Sequence, residues 1–192
     1  MAGAVAERKV KVAEVSLRAL LCGLAALAAA LVATDSQTRT FFSFDKKATF
    51  TDMKAMVFLV VASGVAAGYS LLQAARCCVA VARGTGSTPL LSRALAWCVF
   101  SCDQALAYVL LAAVAAALQA SVIAKRGQPE LQWMGICGMY GAFCRQAGGG
   151  LASAVAAGLA AVLLAFLSAF NLFRLYGDKS GGAARNGGGA TW

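Results

Sequence analysis

The sequence contains no histidine, only 2 prolines, and only 8 acidic residues among 192. Each scarcity removes a class of function. Without histidine the chain has neither the commonest metal ligand nor the commonest general base. The acids are scattered, so paired-carboxylate chemistry finds no partners. Cysteine occurs seven times, but never in a Cys-x-x-Cys spacing, so a quinone-linked thiol oxidoreductase of four-helix type would lack its dithiol. No catalytic residue, cofactor site or metal site is predicted.

Charge of either sign is also sparse. Charged residues make up 13% of the chain and hydrophobic ones 60%, against roughly 25% and 45–50% in soluble domains. A soluble protein of this size would expose much of that apolar surface, and the length leaves no room for a catalytic domain beside one compact bundle. The net charge of +9 is spread between long apolar runs instead of forming one stripe. It suits headgroup contact at helix ends, and no nucleic-acid partner is predicted.

Four runs are long enough to cross a hydrocarbon core, which needs about 20 mainly apolar residues. They cover 15–34, 55–75, 94–123 and 148–173. Only Arg18 and Asp103 place a charge inside them. The first run is too long and uninterrupted for a cleaved signal peptide. Backbone groups in lipid must be satisfied within the segment, so the runs are helices. The expected architecture is all-α: a four-transmembrane-helix bundle over 15–176, an N-terminal arm over 1–14, and a disordered, glycine-rich tail over 177–192.

Orientation is read from the basic residues. Arg8, Lys9, Lys11, Arg76, Arg83, Arg93, Arg174, Lys179 and Arg185 fall on one side. Arg39, Lys46, Lys47, Lys54, Lys125, Arg126 and Arg145 fall on the other. The excess on the first side, and an acid-free second loop, put both termini in the cytoplasm under the positive-inside rule.

Arg18 lies about 10 Å along the first helix from Lys11, and Asp103 about 15 Å along the third from Arg93, at 1.5 Å per residue. Both helices enter from the same side, so the two charges reach similar depth. A lone charge there costs roughly 2.5–3.5 kcal/mol on insertion scales. An Arg18–Asp103 pair is therefore predicted. The alternatives are that Arg18 snorkels to the interface and that Asp103 is protonated and hydrogen-bonded to Gln104 or a serine.

Only Cys137 and Cys144 fall in a non-cytoplasmic loop, where a Cys-x6-Cys disulfide is the natural reading; two free thiols are the alternative. Cys77 and Cys78 follow Arg76 at a juxtamembrane position suited to palmitoylation, or they are small apolar filler. Cys22, Cys98 and Cys102 read as packing residues. Gly64-x-x-x-Gly68 forms a small-residue seam for helix packing, within the chain or between chains. The outer loops concentrate aromatics, among them Phe41, Phe42, Trp133, Tyr140 and Phe143. These anchor helix ends at the interface or contact a neighbouring molecule.

Several of these stretches resemble one plant family, the Casparian strip membrane domain protein-like (CASP-like) proteins. They are Ser16-Leu17-Arg18-Ala19-Leu20-Leu21, Ala33-Thr34-Asp35, Asp103-Gln104-Ala105-Leu106-Ala107-Tyr108, and Trp133-x3-Cys137-x2-Tyr140-Gly141-x-Phe143-Cys144-x-Gln146. The resemblance implies a four-helix fold related to the MARVEL domain, multi-pass residence in the plasma membrane, and homo- or hetero-oligomers with related membrane proteins. It also implies that Arg18 and Asp103 are the family's intramembrane charges. Strip-forming members build immobile platforms that localise wall-modifying enzymes. Thr40-Phe41-Phe42-Ser43-Phe44-Asp45 does not carry their first-loop signature, so the wider CASP-like group is the better match. The expected function is a non-enzymatic membrane scaffold that self-associates laterally and organises membrane domains or recruits such enzymes. The competing expectations are a small transporter or channel component with Asp103 as an ion or proton site, and an accessory subunit of a larger complex.

Overall fold

A computed structural model describes residues 2–41, 44–82, 93–128, 130 and 132–186. The order is α1 (Ala2–Ala33), β1 (Ser36–Phe41), β2 (Phe44–Thr49), α2 (Lys54–Ala82), α3 (Arg93–Arg126) and α4 (Gly141–Asn186). The parts long and apolar enough to cross a membrane are Val12–Ala33, Lys54–Arg76, Leu95–Arg126 and Gly141–Phe173. The fold is thus an all-α, four-span bundle carrying one small strand pair. Phe42, Arg83 and residues 187–192 lie outside the described residues, as do the side chains of Phe41 and Cys77.

The four helices bury seams with one common spacing. In α1 the buried positions are Arg18, Leu21, Ala25, Ala28 and Val32; in α2, Met56, Leu59, Ser63, Ala66 and Ser70. In α3 they include Asp103, Ala107, Leu110, Val114 and Ala117, and in α4 Phe143, Ala147, Gly150, Ala154, Ala157, Ala161 and Leu164. Steps alternate between three and four residues, the 3.5-residue period of helices supercoiled left-handedly about one another. Residue size is inverted relative to a soluble core. Alanine dominates inside, while Leu159, Leu163, Phe166, Phe170 and Phe173 stand exposed on α4. Lipid solvates large apolar side chains as well as protein does, so close packing of small ones is what holds the helices together.

The expected arm and tail differ from what the structure shows. α1 begins at Ala2, well before residue 15, and α4 runs on to Asn186 through the tail. Apolarity ends where the expected boundaries were drawn. Helix propagation does not, because each added residue closes one further hydrogen bond on an existing helix, and Ala183 and Ala184 follow the glycine pair. The first loop likewise contains antiparallel strands, with Ser36 opposite Thr49 and Phe41 opposite Phe44; its threonines and phenylalanines favour extended backbone. The third connection is shorter than expected, since α3 reaches Arg126 and α4 starts at Gly141.

Among the described residues three glycines are required by geometry: Gly127, Gly150 and Gly135, where an added Cβ would meet the Lys125 carbonyl at 2.6 Å. Gly127 ends α3 at φ +72°, its N–H donating to the Ile123 carbonyl at 2.8 Å, and a side chain there would run into the Trp133 carbonyl. This is the left-handed helix stop that glycine adopts without steric cost. At Gly150, α4 crosses α1 so closely that an added Cβ would meet Val32 Cγ2 at 2.6 Å and the Ala28 carbonyl at 3.4 Å. Val32 is itself buried and has nowhere to move. Gly150→Val is therefore expected to lower the unfolding free energy by about 1–3 kcal/mol. Gly149→Val, where an added Cβ meets only Leu31 Cδ1 at 4.0 Å, should change it little. Reversible unfolding of both variants in detergent micelles checks the contrast.

Candidate functional site

The most polar part of the bundle interior lies at the end carrying the chain termini, and all four helices contribute to it. Arg18 of α1 donates from Nη1 to Asp103 Oδ1 at 3.2 Å and from Nη2 to Oδ2 at 3.0 Å, a two-point grip on α3. It also donates from Nε and Nη2 to Glu14 Oε1, at 3.3 and 3.1 Å. Glu14 Oε2 accepts from Asn171 Nδ2 of α4 at 3.5 Å. Tyr69 of α2 stands beside Asp103, with its hydroxyl donating to the Val99 carbonyl at 3.4 Å. Arg18 is 2% exposed and Asp103 4%, whereas Glu14 is 26% exposed.

A guanidinium offers five donors in a flat fork, matched to planar carboxylates. Arg18 fills that fork with two carboxylates, leaving the cluster one negative charge in excess when both acids are ionised. Arg18 does not snorkel: it points to Asp103. The participation of Glu14, Tyr69 and Asn171 was not anticipated. Apolarity alone puts Glu14 in an arm outside the bundle, yet its place four residues before Arg18 puts both on one helical face.

Beyond this cluster the interior turns apolar. The layers through Leu21, Ala25, Leu59, Leu110, Ala113, Ala154 and Ala157 contain no charge. Ser153 is spoken for by the Leu24 carbonyl, to which it donates at 3.0 Å. Ser63 and Ser70 are buried on α2 with no hydrogen-bond partner among the described residues. Among the described residues no group of three His, Cys, Asp or Glu side chains comes together.

The opposite end, which carries the strand pair, is tied by amides. Gln146 Nε2 donates to the Leu31 carbonyl at 3.0 Å and to Thr34 Oγ1 at 3.3 Å, so a side chain of α4 caps the last turn of α1. Gln37 Oε1 accepts from the Phe143 N–H at 3.1 Å, fixing β1 to the first turn of α4. Cys137 and Cys144 are joined as a disulfide with Cα atoms 5.6 Å apart. Tyr140 and Phe143 are buried. They anchor α4 and are not available for outer contacts; Trp133 is 62% exposed and is. Cys98 and Cys102 are exposed instead of packed, as is Cys78, because they fall out of phase with the α3 and α2 seams. Gly64 and Gly68 also face outward: a Cβ added to either meets nothing within 4 Å, so this seam is not used within the chain.

Asp35 sits just past α1, buried, with no partner for Oδ2 among the described residues. Burial pushes its carboxyl up to about 6, offset in part by a hydrogen bond from the Ala147 N–H.

A family model described as Casparian strip membrane protein domain matches residues 7–170. CASP-like protein 2U1 of Sorghum bicolor is 82% identical over 176 residues, covering 90% of this chain and 91% of that protein. CASP-like protein 2B1 of Oryza sativa subsp. japonica is 67% identical, covering 97% and 96%. CASP-like protein 2U1 of Zea mays is 73% identical, covering 93% and 94%. No solved structure matches the chain.

Removing one member of the buried pair leaves a charge without compensation. Asp103→Leu should cost about 3–5 kcal/mol of unfolding free energy, and Arg18→Met combined with Asp103→Leu should recover most of it. Glu14→Gln, at a partly exposed position, should cost much less. Unfolding of the three variants in bicelles measures the ranking. Asp35 makes a second, pH-dependent contribution. Its folded-state value lies above the ordinary 3.8, so the protonated form favours the fold. Stability from this group is full below about pH 4, falls as pH rises to about 6, and stays lower above. Asp35→Asn should flatten that slope in thermal unfolding recorded from pH 4 to 7; an unchanged slope would assign it elsewhere.

Proposed function

The chain belongs to the Casparian strip membrane protein domain family, and on that membership we propose that it is a non-enzymatic scaffold of the plasma membrane. It associates laterally with copies of itself and with related membrane proteins, and so organises membrane domains. Both termini face the cytoplasm in this reading, with the strand pair and the disulfide on the other side, where a Cys137–Cys144 bond persists. Wall-modifying enzymes are the class of partner recruited there, with Trp133 the described aromatic free to meet them.

The observation that carries the reading is the outward Gly64-x-x-x-Gly68 face of α2. Small residues four apart let two helix backbones approach closely in lipid, and among the described residues no group of this chain lies against them. Exposed Val61 and Val65 flank the two glycines and form ridges for a second helix to pack between. A transporter using Asp103 is less well supported. A proton or ion leaving Asp103 meets apolar layers on the way to the strand-pair end, and Arg18 already engages both carboxylate oxygens.

Photobleaching of a fluorescent fusion in the plasma membrane of a plant cell tests the proposal. Slow or absent recovery in patches is expected. Gly64→Ile with Gly68→Ile should restore recovery to the rate of a freely diffusing four-span protein while leaving the disulfide and surface delivery intact. Fast, uniform recovery of the unaltered protein would rule the scaffold out and bring the transporter and accessory-subunit readings forward.

A further inference from the structure

The described thiols divide between the two ends of the bundle. At the strand-pair end Cys137 and Cys144 are consumed by their disulfide. Cys22, Cys78, Cys98 and Cys102 are free. Cys22 is half-buried in the middle of α1, but Cys78, Cys98 and Cys102 are exposed, and all three stand in the half that carries the chain termini. A free cysteine ordinarily behaves as a small buried apolar residue, and reactivity decides its use where it is not buried. Packing does not account for these three. Tyr69 of α2 donates to the Val99 carbonyl of α3 at 3.4 Å, so the two helices run side by side where the exposed thiols stand.

Depth separates the three. Cys78 lies two residues beyond Arg76, where the α2 span ends, and Cys98 three residues inside Leu95, where the α3 span begins. At 1.5 Å per residue Cys78 is about 3 Å outside its span and Cys98 about 5 Å within its own. The headgroup layer on each face is about 5–7 Å deep, so both thiols lie at headgroup depth. Cys102 is one turn further along α3, at about 10 Å, in hydrocarbon. Disulfide pairing between chains needs an oxidising compartment, whereas this end faces the cytoplasm. Metal binding needs further ligands, and among the described residues none joins these thiols. Acyl transfer needs only a thiol within reach of an enzyme at the cytoplasmic surface. We propose that Cys78 and Cys98 are S-acylation sites, each taking a long-chain fatty acyl group from acyl-coenzyme A. The cysteine sulfur attacks the carbonyl carbon of the acyl thioester, and a new C–S bond replaces the one to coenzyme A. The cysteine proton leaves on the coenzyme A thiol, with no change in oxidation state. The inference rests on the cytoplasmic placement of the termini and does not depend on lateral assembly.

Thioester exchange on the full chain, expressed in plant cells with a pH-sensitive fluorescent protein at its C-terminus, provides the test. After extraction, disulfides are reduced and free thiols capped. Thioesters are then opened with hydroxylamine, and each released thiol is given a polyethylene glycol mass tag. Two tags per chain are expected, both dependent on hydroxylamine. Cys78→Ser and Cys98→Ser should each lose one tag, and the double variant should lose both. Cys102→Ser, at an equally exposed but deeper position, should keep both. No hydroxylamine-dependent tag in the unaltered protein, or tags that survive in the double variant, overturns the proposal. Acidifying the medium around intact cells separates the two ways of failing. Fluorescence that persists keeps the termini in the cytoplasm and counts against acylation alone; fluorescence that is quenched removes the proposed orientation as well.

Discussion

A guanidinium buried in hydrocarbon must have its charge and its donors met by the protein, because lipid offers neither. Arg18 meets that demand by gripping Asp103 with two nitrogens and Glu14 with a third. The consequence is geometric. A planar, two-point contact has one good arrangement, so it fixes how far α1 is pushed along α3 and how each is turned. Apolar seams built from alanine do not do this by themselves. A heptad seam can slide by a turn and still bury similar surface, and polar residues at seam positions are a known means of excluding such slips. Arg18 and Asp103 stand at seam positions, in phase with Leu21 and Ala107. Asn171 and Tyr69 then bring α4 and α2 to the same point.

With the register set by charge, packing can be left to small residues. Alanine inside and leucine or phenylalanine outside bring the backbones close and give the surface to lipid. That arrangement explains which small residues remain free. Gly150 is consumed by the crossing of α4 over α1. Gly64 falls one position past Ser63 and Gly68 two past Ala66, so both are out of phase with the seam and present the same close-packing chemistry to the outside. The sequence feature is identical in kind; helical phase alone separates an internal contact from an external one.

Phase also decides what could be read before the structure. The four spans were legible from apolar run length, and the Arg18–Asp103 juxtaposition from depth, since both rest on one dimension along each helix. What was not legible was rotation. Counting 3.5 residues from Arg18 would have linked it to Leu21, Ala25, Ala28, Val32 and Asp35, and marked Asp35 as buried. The same count from Ser63 would have set Gly64 and Gly68 outside. Glu14 stands one residue before the apolar run, so run length places it outside the bundle. Tyr69, Asn171 and Gln146 were missed for a different reason: their partners lie 30, 157 and 115 residues away, and no local pattern announces a contact between helices. Tyr140 and Phe143 look like interfacial aromatics by composition, and only the start of α4 at Gly141 shows that they turn inward.

The two ends of the bundle are held by different chemistry. At the terminal end one charged cluster touches all four helices. At the strand-pair end the polar ties join α4 to the end of α1 and the strand after it: Gln146 to Leu31 and Thr34, Gln37 to Phe143, and the Ala147 N–H to Asp35. The disulfide stiffens the start of α4 but reaches back only to the turn before it. These ties hold the start of α4 against the end of α1, with a side chain of one helix capping the last turn of the other. Charge thus fixes the register of the helices at one end, and amide hydrogen bonds close their ends at the other.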